Sequence, residues 1–187
     1  MKTKNLTAAT LLTALALVFS YIEFLIPFNL GIPGVKLGLA NIVILIALFC
    51  LGTKHAFAVN VTRVLISCLL FSGLYGCMYA MSGALLSLSV MALLKKTGLF
   101  SVTGISVAGA ISHNFGQILM AALIVSNLNM FAYFPLLIFS GLVCGLINGF
   151  ISHLVLKHLP SGAFSFVSGR QTTPKKAINK TGDIYEY

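Results

Sequence analysis

Seven side chains, Glu23, Lys36, Asn41, Arg63, His113, Asn114 and Gln117, are those through which this 187-residue chain could do chemistry. All lie in or beside long apolar runs, and polar groups at membrane depth are costly enough to be candidates for function. Arg63 offers a planar fork of donors suited to a carboxylate or phosphate. Asn60 and Ser67 sit three residues before and four after it, so Arg63 is the centre of a polar stripe. His113, Asn114 and Gln117 are spaced to share one helix face, a titratable ring with two amides. Glu23, Lys36 and Asn41 approach from one side. Each also has a plainer reading. Arg63 could answer helix-end carbonyls or snorkel to an interface, Glu23 and Lys36 could close a loop as an ion pair, and His113 could be an interhelical hydrogen-bond partner. Taken together they outline a pocket with two fixed positive charges, an imidazole, three amides and one carboxylate. Such a set suits a small polar or anionic ligand bearing phosphate or carboxylate.

Most catalytic chemistries are absent. Only Glu23, Asp183 and Glu186 are acidic, and two of these fall in the last five residues. No aspartate cluster can hold Mg²⁺ on a diphosphate, no Gly-rich GxxxxGK[ST] loop can cradle ATP, and one membrane acid cannot complete a Ser/His/Asp set. His153 and His158 are five residues apart, a poor spacing for a metal pair. The expectation is no catalytic residue, no metal and no cofactor. Cys50, Cys68, Cys77 and Cys144 each lie inside an apolar run without a CxxC pair, as packing residues do.

The elements that must position these groups are membrane helices. Hydrophobic residues make up 58% and charged residues 8%, with a mean hydropathy of +1.01, where a soluble domain carries about a quarter charged. Lipid must therefore be the solvent. Runs at 6–26, 37–51, 55–71, 74–94, 102–126 and 130–156 read as spans of an all-α integral membrane protein, a bundle of six transmembrane helices. The first is read as a retained span, because no small-residue cleavage site follows it. Gly52, Thr53 and Lys54 make the second and third a tight hairpin, and Pro27, Gly31 and Pro33 make the apolar piece 24–32 a loop over the outer mouth. Lys2, Lys4, Lys54, Lys95, Lys96 and Lys157 fall on alternate connections, whereas the opposite ones carry only Lys36. That alternation places both termini in the cytoplasm. It also explains the net charge of +9 without nucleic acid, as topology signals and contact with the lipid bilayer. Residues 1–160 form the membrane domain and 161–187 a polar cytoplasmic tail expected to be disordered. Gly141, Gly145 and Gly149, and likewise Gly104, Ala108, Ser112 and Gly116, recur every four residues. Such grooves suit either internal helix packing or a docking subunit.

Two segments carry a family resemblance. GIPGVKLGLANIV at residues 31–43 and SVAGAISHNFGQ at 106–117 resemble the signatures of the Gx transporters, also named heptaprenyl diphosphate synthase component I. SYIE at 20–23 and Arg63 match the same family, and the resemblance covers about residues 6–156. The family is similar to the S-components of energy-coupling factor (ECF) vitamin transporters, whose outer pocket is lidded by the loop between the first two helices. The resemblance implies a membrane component that binds a solute for uptake, driven by an ECF-type transmembrane coupler and ATPases. It implies a lid role for residues 24–35. S-components commonly carry Ala-x-x-x-Ala on the first helix for docking; here Thr10 and Ala14 are the nearest substitute. The family's other name points instead to an accessory subunit of heptaprenyl diphosphate synthesis.

Overall fold

The structure, a computed structural model, describes residues 2–25, 38–159, 177–178 and 184–185. The loop expected at 24–35 lies outside them from residue 26 onward, as do Lys36 and most of the tail. Within the tail, Ala177–Ile178 and Ile184–Tyr185 pair as two-residue antiparallel strands.

The membrane part is helical. Helix α1 is Lys2–Leu25, α2 Leu39–Leu51, α3 Thr53–Ser67, α4 Gly73–Thr97, α5 Val102–Val125 and α6 Phe134–His158. Four stretches, Thr3–Leu25, Thr53–Thr97, Val102–Val125 and Leu128–His158, are long and apolar enough to cross a membrane, and Leu39–Leu51 is a shorter apolar helix. Leucines and phenylalanines such as Leu11, Leu69, Leu123 and Phe139 stand exposed on the perimeter. In water that surface would be untenable, and the chain is membrane-embedded.

Every residue from Thr53 to Thr97 is helical, but in two pieces: α3 ends in a π-helical turn at Cys68–Ser72 and α4 begins at Gly73, near the boundary expected between the third and fourth spans. The chain reverses there. Asn60 Nδ2 donates to the Ala84 carbonyl at 3.0 Å, across 24 residues that a straight helix would stretch to ~36 Å. Gly73, with φ +65°, supplies the left-handed bend. At the next connection Ser101 caps α5, its side chain accepting from the Gly104 N–H at 3.1 Å.

Helix α5 packs between α4 and α6. The α6 glycines face α5 and not a missing partner. A Cβ at Gly145 would stand 2.7 Å from Val107 Cα, one at Gly149 2.7 Å from Thr103 Cα, and one at Gly141 3.3 Å from Ile111 Cα. Thr103, Val107 and Ile111 thus form an antiparallel ridge in the glycine groove, which settles that row as internal packing.

Helix α2 is the centre of the bundle. It touches α1, α3 and α6, and most of its side chains, Val43, Ile44, Leu45 and Leu48 among them, are buried. Its apolar circumference suits packing on every side, although with lipid as the solvent it does not by itself select the inside. At 13 residues it is ~20 Å long, short of a bilayer core of about 30 Å. The apolar core gathers round its C-terminal half, with Ala9, Leu12, Ala16, Ala56, Val59, Leu88 and Met91. That end, near Lys54, Lys95 and Lys96, is the basic end of the bundle.

Candidate functional site

The N-terminus of α2 is recessed. Asn148 Nδ2 donates to the Gly38 carbonyl at 3.1 Å. Asn148 lies 14 residues into α6, so α2 begins ~21 Å below the start of its neighbour. Gly38 has φ +73°, and a Cβ there would lie 3.0 Å from Asn148 Nδ2 and 3.4 Å from Asn41 Nδ2. Only glycine suits both the backbone and the crowding. Asn41 is therefore folded over the start of its own helix, and its N–H also donates to the Gly38 carbonyl at 2.8 Å.

Both ends of α2 are held by charged groups from other helices. At the recessed end Glu23 Oε1 accepts from the Leu39 N–H at 2.6 Å. At the basic end Lys95 Nζ donates to the Leu48 carbonyl at 2.6 Å and lies 4.9 Å from the Phe49 ring centroid. A carboxylate at the N-terminus and an ammonium at the C-terminus both match the helix dipole and satisfy orphaned backbone groups.

Arg63 lies within electrostatic reach of Glu23 and is only 9% exposed. Its guanidinium donates to Ser20 Oγ at 3.4 Å and to Asn60 Oδ1 at 3.0 Å. Ser20 stands one helical turn before Glu23 on the same face of α1. Arg63 Nε is buried without a hydrogen-bond partner among the described residues. An unsatisfied buried donor on a charged group costs more than the ~1–3 kcal/mol of a neutral one, a cost that an added acceptor would offset.

From Arg63 the polar groups continue across the bundle. Asn60 bridges to the α4 backbone at Ala84. On the far side of α4, a Cβ at Gly83 would meet Gln117 Cγ at 2.9 Å and His113 Cε1 at 3.1 Å, so both α5 side chains lie over that glycine. Asn114 turns elsewhere, donating to the Leu137 carbonyl of α6 at 2.8 Å. A step of one residue is 100° on a helix, and α5 has neighbours on both sides.

Of the seven expected residues, Glu23, Asn41 and Arg63 surround the α2 N-terminus, His113 and Gln117 meet at α4, Asn114 bonds to α6, and Lys36 lies outside the described residues. The structure adds Ser20 and Asn148. An amide in an apolar run, at Asn148 beside Gly149, was the signal available for the second. The guanidinium, the start of α2 and the amides Asn60 and Asn148 are donor-rich, a chemistry that favours acceptor-rich ligands.

The family described as heptaprenyl diphosphate synthase component I matches residues 12–155. No curated protein and no solved structure gives a match. The match covers most of the chain, which belongs to this family, also known as the Gx transporters.

Proposed function

We propose that this member of the heptaprenyl diphosphate synthase component I family is the solute-binding membrane component of an uptake system. It is a bundle of six transmembrane helices with both termini in the cytoplasm, similar to ECF S-components, and takes up a small polar or anionic solute. Transport is driven by a partner module, a transmembrane coupler with ATPases. The reading rests above all on Arg63, a buried guanidinium with an unanswered N–H beside the recessed start of α2. Glu23, Lys36, Asn41, His113, Asn114 and Gln117 complete the proposed binding set. The family's name offers a second reading, an accessory subunit of heptaprenyl diphosphate synthesis. Three acids in the whole chain make a catalytic diphosphate site of its own a poor fit.

The test is mass spectrometry of the small molecules retained by the purified chain and by folded Arg63→Gln. A solute held by the first and lost from the second supports uptake; the same solutes in both would sink it. Orientation is checked with single cysteines in a cysteine-free background. Positions Ser72 and Asn127 should react with an impermeant thiol reagent on intact cells, whereas Lys54 and Lys95 should not. A labelled Lys95 position would reverse the topology.

A further inference from the structure

We infer that Glu23 is a built-in stand-in for the ligand's anionic group: its carboxylate holds the α2 N-terminal subsite in the unloaded chain, and a carboxylate or phosphate of the solute displaces it. The inference rests on the uptake reading and narrows its ligand to one bearing such a group.

Three observations converge on it. The Glu23 carboxylate accepts from the first N–H of α2 at 2.6 Å, the place and length of an anion bound at a helix N-terminus. That start lies midway along α6, against Asn148, with Gly38 and Leu39 half-buried and Ala40 buried just behind them. Ser20, one turn before Glu23, already touches the Arg63 guanidinium, which brings the carboxylate and the guanidinium to one level. Yet Arg63 Nε stays without an acceptor at 9% exposure. One tethered carboxylate thus serves Leu39 and leaves the neighbouring donor unserved. A phosphate or a free carboxylate carries enough lone pairs, in an unconstrained position, to serve both. Glu23 is also in the last turn of α1, two residues from its end at Leu25, where a helix is least constrained.

The comparison with the other end of α2 points the same way. Lys95, half-buried beside the apolar core, caps the Leu48 carbonyl with its ammonium over the Phe49 ring, and no unanswered donor stands beside it among the described residues. Glu23 performs the matching task beside a donor that still requires an anion.

The experiment measures the unfolding midpoint of the detergent-purified full chain against inorganic phosphate, with ionic strength balanced by sodium chloride. Glu23→Gln removes the resident charge while keeping the side-chain size. Loss of a charge-assisted competitor corresponds to at least about a tenfold change in binding. Half-saturation by phosphate should therefore fall at least about tenfold relative to the unaltered chain. Arg63→Gln should abolish the response, alone and combined with Glu23→Gln. Half-saturation that is unchanged or raised in Glu23→Gln overturns the inference, as does no response in either protein. Should Glu23→Gln not fold, Glu23→Asp, one methylene shorter, should show a smaller fall, and no fall overturns the inference equally. The two readings separate at Arg63. An Arg63→Gln chain that answers phosphate normally removes the anion site and the uptake reading with it. A silent Arg63→Gln beside an unimproved Glu23→Gln removes only the stand-in.

Discussion

The two ends of α2 solve the same problem with opposite charges and differ in what is left over. At the basic end the half-buried Lys95 satisfies the Leu48 carbonyl, and its ammonium lies over the Phe49 ring beside the apolar core. At the recessed end Glu23 satisfies Leu39, but Arg63 Nε remains unanswered among amides of α2, α3 and α6. One end is finished packing and the other is a set of donors. Stability is therefore expected to depend on the first and ligand binding on the second, and substitutions that confuse the two would break the distinction.

The largest effect is expected at Arg63. Removing one side of a desolvated, charge-assisted contact costs about 3–5 kcal/mol, because the partner stays buried and unpaired. Arg63→Gln should lose solute binding by orders of magnitude while still folding. Arg63→Lys should recover only part, since it keeps the charge and loses the planar fork. Binding assays set beside thermal melts read both. Normal binding with early melting would make Arg63 a structural cation and erase the contrast between the ends.

Gly38→Ala comes next. A left-handed backbone costs a side-chain-bearing residue roughly 1–2 kcal/mol, and the new Cβ would stand 3.0 Å from Asn148 Nδ2. A stability loss of about 2–3 kcal/mol is expected, with weaker binding because the floor itself moves. A melt like that of the unaltered chain would show that the α2 start can re-form without its glycine. Lys95→Met should cost about 1–2 kcal/mol of stability, the scale of a charge-assisted helix-end contact, while its apolar stem stays over Phe49. Solute retention should not change. Loss of the solute would show that the two ends of α2 act as one device.

Helical character was legible because period, length and charge placement are local properties. The burial of α2 was not: an apolar helix reads only as a span, because lipid would suit its surface as well as protein does. Its caps were not legible: Glu23 is 16 residues from Leu39, and Lys95 is 47 from Leu48. Spacing likewise put His113, Asn114 and Gln117 on one face, but nothing local says that α5 lies between two helices. There the 100° step from His113 to Asn114 is a change of neighbour. The α6 glycine row left two readings open, and only the ridge of Thr103, Val107 and Ile111 decided between them.

The smallest effect is expected at His113, and it tests how far the polar set around Arg63 extends. His113 and Gln117 lie over Gly83, one residue from the Ala84 carbonyl that Asn60 holds, and Asn60 in turn holds Arg63. That chain of contacts brings the imidazole to the depth of the recessed α2 start. A neutral hydrogen bond contributes about 0.5–1.5 kcal/mol, so His113→Ala should weaken solute binding by roughly twofold to tenfold. His113→Gln, which keeps a donor and an acceptor, should restore most of it. A packing role predicts otherwise. The α4–α5 contact would loosen, the melting temperature would fall in His113→Ala, and binding would follow stability. Measured together, the Ala and Gln variants separate the two. Binding that tracks hydrogen-bonding capacity at constant stability extends the site to α5, and binding that tracks melting temperature confines it to Arg63 and the α2 N-terminus.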